Sequence, residues 1–114
     1  KDFVACHVEA PDACTQNGDL PGKLQAIEWL DSRVVGPITQ ALADEGTDFR
    51  LLILSDHKTL TATRGHDADP VPYLLYDSRK DTGLNLPYCE ESGLKGTAYA
   101  AGAPVLMRKL FEQL

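Results

Sequence analysis

Two imidazoles and two carboxylates stand where metal-dependent chemistry would need them. Leu51-Leu52-Ile53-Leu54 runs directly into Ser55-Asp56-His57, and His66 and Asp69-Pro70-Val71-Pro72-Tyr73 follow. Four consecutive apolar residues read as a buried strand. Ending on Ser-Asp-His, such a strand delivers a carboxylate and an imidazole to the carboxyl edge of its sheet, where open α/β sheets place their chemistry. On its own the pair leaves two readings open. Either Asp56 starts a turn and His57 is a surface imidazole, or both leave the strand end as ligands of neighbouring metal ions. Asp12 has a comparable position, because Phe3-Val4-Ala5-Cys6-His7-Val8 reads as a second strand that breaks at Glu9-Ala10-Pro11. His7, inside that run, reads as a core or edge imidazole rather than a ligand. A mixed oxygen and imidazole set suits Mn or Zn better than Ca. Two such ions side by side would clamp the attacking and leaving oxygens of a phosphoryl group.

The elements that must hold these residues are legible in outline. Strands are predicted at 3–8, 49–54 and 72–76, the last with Pro near its start, where the ladder permits it. Leu20, Leu24, Ile27, Leu30, Val34, Ile38 and Leu42 recur at helical spacing, so a long helix is predicted, with its apolar face packed in the core. Asp19 is its expected N-cap and Pro21 lies near its first turn. Gly36-Pro37 predicts a kink or break. Residues 13–19 read as a polar loop, 58–69 as a long loop of functional type, and 77–96 as a surface hairpin or excursion. A terminal helix is predicted over 105–114, started by Pro104.

With 114 residues, 43% hydrophobic and 25% charged, the chain has the composition of one ordinary globular domain. A net charge of -6, with 11 Lys and Arg that form no basic stripe, argues against nucleic acid as a partner. No apolar run is long enough to span a bilayer, and the expected location is the cytoplasm. Cys6, Cys14 and Cys89 show no Cys-x-x-Cys spacing, so reduced thiols are expected rather than disulfides or a zinc-thiolate site. Lys1-Asp2 passes straight into an apolar run without a polar lead-in. The expectation is a piece of a longer protein, cut beside a strand.

His7 to Asp12, Lys23 to Pro37 with Ala26-Ile27-Glu28 and Val34-Val35-Gly36-Pro37, Ser55-Asp56-His57, Arg64-Gly65-His66 and Asp69-Pro70-Val71-Pro72-Tyr73 together resemble a known family. It is the carboxyl-terminal part of the archaeal-type cofactor-independent phosphoglycerate mutases, a group of the alkaline phosphatase superfamily that also includes proposed homoserine kinases. The resemblance runs over nearly the whole chain in the family's order. It implies an α/β fold, specifically a carboxyl-terminal fragment of a three-layer alkaline phosphatase-like sheet, with residues 1–114 as a single domain fragment. It also implies two divalent metal ions, Mn or Zn, and no organic cofactor. Asp56 and His57 would bind one ion, and Asp12 and His66 the other. Arg64 would hold a phosphate or carboxylate of a small phosphorylated acid, with a surface arginine as the alternative. The implied activity is interconversion of 2-phosphoglycerate and 3-phosphoglycerate through a phosphoserine-type intermediate.

This sequence departs from the pattern at three places. The family carries a His four residues after the Asp of its Ala-Pro-Asp block, where this chain has Gln16, which offers a neutral amide oxygen in place of an imidazole. Lys58-Thr59-Leu60 stands in place of Pro-Thr-Pro after the Asp-His pair. The family's amino-terminal half, which supplies the nucleophilic Ser or Thr, has no counterpart, and no Gly-x-Ser-x-Gly elbow or Gly-rich phosphate loop occurs. No catalytic nucleophile is therefore expected within these residues, and the fragment alone should be inactive. Homoserine kinase or phosphatase chemistry on the same scaffold, or a degenerate binding or assembly domain, stand as alternatives. Missing neighbour strands would expose apolar surface, so a homodimer of the fragment is a further expectation.

Overall fold

A helix occupies the stretch that reads as a loop. In the computed structural model, which describes residues 3–80, 87–96 and 100–112, helix α1 spans Ala10–Gln16 with Pro11 in its first turn. A proline there gives up no hydrogen bond, because the first N–H groups of a helix have no internal acceptor. Thr15 is buried, and its hydroxyl donates to the Pro11 carbonyl at 2.7 Å. The expectation for 3–8 is not met, since residues 3–9 carry no regular secondary structure. A strand is defined by its ladder, and among the described residues neither ladder includes this run. His7 accordingly lies exposed, 3.7 Å from Glu9 Oε1, rather than in a core or sheet edge.

The chain divides into two compact units, Lys1–Ala41 with Lys58–Ala68, and Leu42–His57 with Asp69–Leu114. In the first unit α1 packs on α2, Leu20–Trp29. Asp19 caps α2 as expected, its Oδ1 accepting from the Gly22 N–H at 2.9 Å. The predicted break takes a particular form. α2 passes into a π-helical segment, Leu30–Val35, which passes into α3, Gly36–Glu45, so the widened turn comes just before Pro37. The Gly36 N–H reaches back five residues to the Asp31 carbonyl. A π turn absorbs the proline because it re-routes the hydrogen bonds that the ring disrupts. The apolar face of α2 is less covered than ordinary core packing requires, with Leu20, Leu24 and Ile27 about half exposed. The unit also holds a small hairpin in the region expected to be loop, strand β2 (Lys58–Thr59) pairing antiparallel with β3 (His66–Asp67).

In the second unit β1, Arg50–Leu54, pairs antiparallel with β4, Tyr73–Asp77, in the register Arg50↔Asp77 to Leu54↔Tyr73. Both strands begin one residue after the predicted starts. Ser78 closes the far end, its N–H donating to the Phe49 carbonyl and its hydroxyl accepting from the Phe49 N–H. Helix α5, Ala103–Phe111, packs on β1 and buries Leu106, with Pro104 in its first turn as the sequence predicts. Arg50 ties these elements together. It pairs with Asp77 at 2.8 Å and donates to the Lys109 and Leu110 carbonyls at 3.0 and 3.1 Å. These are carbonyls of the last helical turn, where the helix carries its negative end. A short helix α4, Glu90–Lys95, falls within the expected excursion at 77–96, of which residues 81–86 lie outside the described residues.

Candidate metal centre

Asp12 and His66, far apart in sequence, meet in the first unit. α1 presents Asp12 from its first turn and β3 presents His66, with His66 Nε2 3.2 Å from Asp12 Oδ1. Two ligands roughly 2.0–2.2 Å from one tetrahedral ion lie roughly 3.3–3.6 Å apart, so this spacing fits a pair of donors sharing a cation. Thr59 on β2 donates its hydroxyl to the same Oδ1 at 2.5 Å, the short contact of a charge-assisted bond. The Lys23 ammonium in turn holds the Thr59 carbonyl at 3.0 Å. Gln16, one helical turn beyond Asp12, donates its Nε2 to Asp12 Oδ2 at 2.9 Å and lies 3.5 Å from His66 Nε2. Asp12 is half-buried, while His66 and Gln16 are exposed.

Arg64 sits two residues before His66, in the turn joining β2 to β3, and has a left-handed backbone at φ 60. Its N–H donates to the Leu60 carbonyl at 2.7 Å. Its guanidinium lies over Gly18, so close that a Cβ on Gly18 would stand 2.6 Å from Arg64 Cζ. Gly18 ends α1 with φ +71, a conformation that favours glycine, and leaves the space in which the Arg64 guanidinium rests. Non-glycine residues rarely adopt positive φ, and such strain gathers at functional loops.

In the second unit the chain leaves β1 through Ser55 to Asp56 and His57, the strand-end position read from the sequence. Asp56 Oδ1 accepts from the His57 N–H at 3.0 Å, and its Oδ2 lies 3.5 Å from His57 Nε2. This second carboxylate and imidazole pair has the separation of two ligands on one ion, and its carboxylate is well exposed while the ring is partly covered.

The structure thus brings Asp12, Gln16 and His66 together and keeps Asp56 with His57. Asp12 arrives from a helix, not from a strand end as expected, because Glu9-Ala10-Pro11 begins a helix instead of ending a strand. Sequence reading assigned no role to Thr59, Lys23 or Gly18. A signal for Thr59 was present, since Lys58-Thr59-Leu60 keeps the Thr of Pro-Thr-Pro. For Lys23 and Gly18 the contacts are tertiary and leave no local mark.

A model of the Metalloenzyme superfamily matches residues 1–108. Among curated relatives, the 2,3-bisphosphoglycerate-independent phosphoglycerate mutase of Methanothrix thermoacetophila is 44% identical over 77 residues, 68% of this chain and 20% of the relative. The protein of the same name from Methanosarcina barkeri is 39% identical over 98 residues, 85% of this chain and 25% of its own length. A probable 2,3-bisphosphoglycerate-independent phosphoglycerate mutase of Geobacter sulfurreducens is 40% identical over 92 residues, 80% of this chain and 23% of the relative. The chain spans about a fifth to a quarter of the length of these relatives. No solved structure matches it, and among the described residues no helix is long and apolar enough to cross a membrane. Helices combined with short sheets, two oxygen and imidazole donor pairs, and the match over residues 1–108 lead to one assignment: the chain belongs to the metalloenzyme superfamily, as an α/β piece of its alkaline phosphatase-like domain.

Proposed function

We propose that these residues form the carboxyl-terminal part of a metal-dependent, 2,3-bisphosphoglycerate-independent phosphoglycerate mutase that interconverts 2-phosphoglycerate and 3-phosphoglycerate in cytoplasmic glycolysis. The observation that carries this reading is the pair of donor sets, Asp12 with His66 at 3.2 Å and Asp56 with His57 at 3.5 Å. Each set has a hard oxygen and an imidazole at ligand-to-ligand spacing, the chemistry that suits Mn or Zn. Asp56 and His57 hold one divalent ion, and Asp12 and His66 are the donors for a second. Such ions supply Lewis-acid stabilisation of phosphoryl oxygens. Thr59 fixes the Asp12 carboxylate so that Oδ1 faces His66, the work of an outer-shell partner. Arg64 offers a guanidinium fork to a phosphate or carboxylate oxygen of the substrate. None of the 114 residues is assigned as the nucleophile, and the fragment alone is inactive.

The test is turnover of 3-phosphoglycerate with Mn or Zn by the intact protein, by its Asp56→Ala and Asp12→Ala variants, and by residues 1–114 alone. Mutase activity of the intact protein, lost in both variants and absent from the fragment, is expected. Activity that survives Asp56→Ala, or turnover by the fragment, overturns the assignment. A second reading, a degenerate domain of the same fold that binds without catalysing, is favoured by Gln16, which stands beside Asp12 and His66 as a hydrogen-bond donor. It predicts no turnover by the intact protein under any metal.

A further inference from the structure

We infer that Gln16 is a competitor for, not a ligand in, the Asp12–His66 centre, and that it lowers the affinity of this centre for a divalent metal. The inference rests on the metal-centre reading above and concerns what Gln16 does within it. The Gln16 Nε2 lies 2.9 Å from Asp12 Oδ2 and 3.5 Å from His66 Nε2, and so engages both ligand side chains, at the imidazole nitrogen and at the carboxylate oxygen beside the one that faces it. An ionised carboxylate only accepts hydrogen bonds, so the amide turns its NH2 group, not its oxygen, toward Asp12. An amide nitrogen carrying two hydrogens donates and does not coordinate. In this position it supplies the partial positive charge that an ion would otherwise supply.

The arrangement is favoured locally. Asp12 and Gln16 are one turn apart on α1, where Gln and Asp side chains meet and hydrogen-bond. Asp12 Oδ1 meanwhile accepts from Thr59, so donors already engage both carboxylate oxygens. A cation entering beside His66 Nε2 meets the positive face of the NH2 group 3.5 Å from that atom, so the amide must leave Asp12 or rotate to offer its oxygen. Either movement gives up a charge-assisted hydrogen bond, a loss of about tenfold in affinity. The oxygen it could then offer is a neutral donor, weaker toward Mn or Zn than an imidazole. An imidazole at position 16 would reverse both effects, since a neutral ring can present a lone pair on the same helix face.

The experiment measures metal bound per chain in the intact protein after equilibration with Mn or Zn alone, by elemental analysis and calorimetric titration. It compares wild type with Gln16→His, Gln16→Ala and Asp56→Ala, with circular dichroism confirming that each variant is folded. Gln16→His is expected to gain affinity at the Asp12–His66 centre by about 10- to 100-fold. Gln16→Ala is expected to bind there more tightly, by up to about tenfold, because a competitor has been removed. Unchanged binding in Gln16→Ala would show that the amide does not compete, and weaker binding that it is a ligand; either overturns the inference, as would Gln16→His gaining nothing. Loss of the metal reading at Asp56–His57 registers separately, as identical metal content in wild type and Asp56→Ala, while the two Gln16 variants still decide the role of that residue.

Discussion

Gly18→Ala separates two roles of a single glycine, and Gly46→Ala is its internal control. Both glycines follow a helix and close it in the same way. The Gly18 N–H bonds the Thr15 carbonyl and the Asp19 N–H the Cys14 carbonyl, while Gly46 bonds Ala43 and Thr47 bonds Leu42. This is the Schellman pattern, with the glycine left-handed, at φ +71 and +68. Their surroundings differ. A Cβ on Gly46 meets nothing within 4 Å, whereas on Gly18 it meets the Arg64 guanidinium, at 2.6 Å from Cζ and Nη2 and 2.9 Å from Nε. Alanine in the left-handed region costs roughly 1–2 kcal/mol, a loss of roughly 5- to 30-fold in the ratio of folded to unfolded chain. At Gly46 that is the whole effect. At Gly18 the obstacle is the far end of a flexible side chain, which can swing aside, so the two stability losses should agree to within about 0.5 kcal/mol. Displacement of Arg64 should appear instead in substrate binding. Urea midpoints of the intact protein read the first quantity and KM for 3-phosphoglycerate the second. Gly18→Ala is expected to raise KM and Gly46→Ala to leave it unchanged, and Gly18→Ala combined with Arg64→Ala should be no worse than Arg64→Ala. An equal rise in KM for Gly46→Ala, or additive effects in the double variant, would refute the seating of Arg64 by Gly18.

Arg64→Gly should stabilise the protein by about 1 kcal/mol in urea unfolding, because it relieves a left-handed arginine, while KM rises. A destabilised variant with unchanged KM would remove Arg64 from the site. Asp77 gives a pH prediction. Hydrogen bonds from the Arg79 guanidinium first, then from Arg50, hold its carboxyl well below the usual carboxylate range. Its folded-state pKa lies below the unfolded value of about 3.8, so its stabilisation is present above that pH and is lost as pH falls toward the folded value. Asp77→Asn should therefore lower the urea midpoint at pH 7 and approach wild type on acidification below pH about 4. A gap that does not change with pH would contradict this assignment.

What the sequence disclosed followed the kind of information each element needs. β1 and α5 were legible because an unbroken apolar run and a proline in the first turn are local signals, as was the Asp19 cap. Helix α1 was not, because Asp-Ala-Cys-Thr-Gln shows no apolar periodicity, and its stability comes from Pro11, a buried Thr15 and the tertiary contact of Asp12 with Thr59. Residues 3–8 misled in the opposite sense. Their β propensity is real, but propensity alone makes no ladder. At the metal centre, the Asp56-His57 pair was visible as a strand end. The meeting of Asp12 with His66 was not deducible from spacing and entered only through family resemblance. That Gln16 departs from the family pattern was visible in the sequence, whereas which of its amide atoms faces Asp12 required coordinates.

The widened turn at Leu30–Val35 has a consequence for how this chain can change. Leu30, Val34, Ile38 and Leu42 follow one another at intervals of four. In an α-helix each interval overshoots a full turn by about 40°, roughly 120° over the three. The π segment takes up part of that overshoot, so its length is as much a part of the design as its residues. Substitutions within 30–35 leave the phase intact. Deletion of one residue from a regular helix would turn Ile38 by about 100° about the helix axis relative to Leu30 and draw it in by about 1.5 Å, and so take it out of line with the apolar residues that precede it.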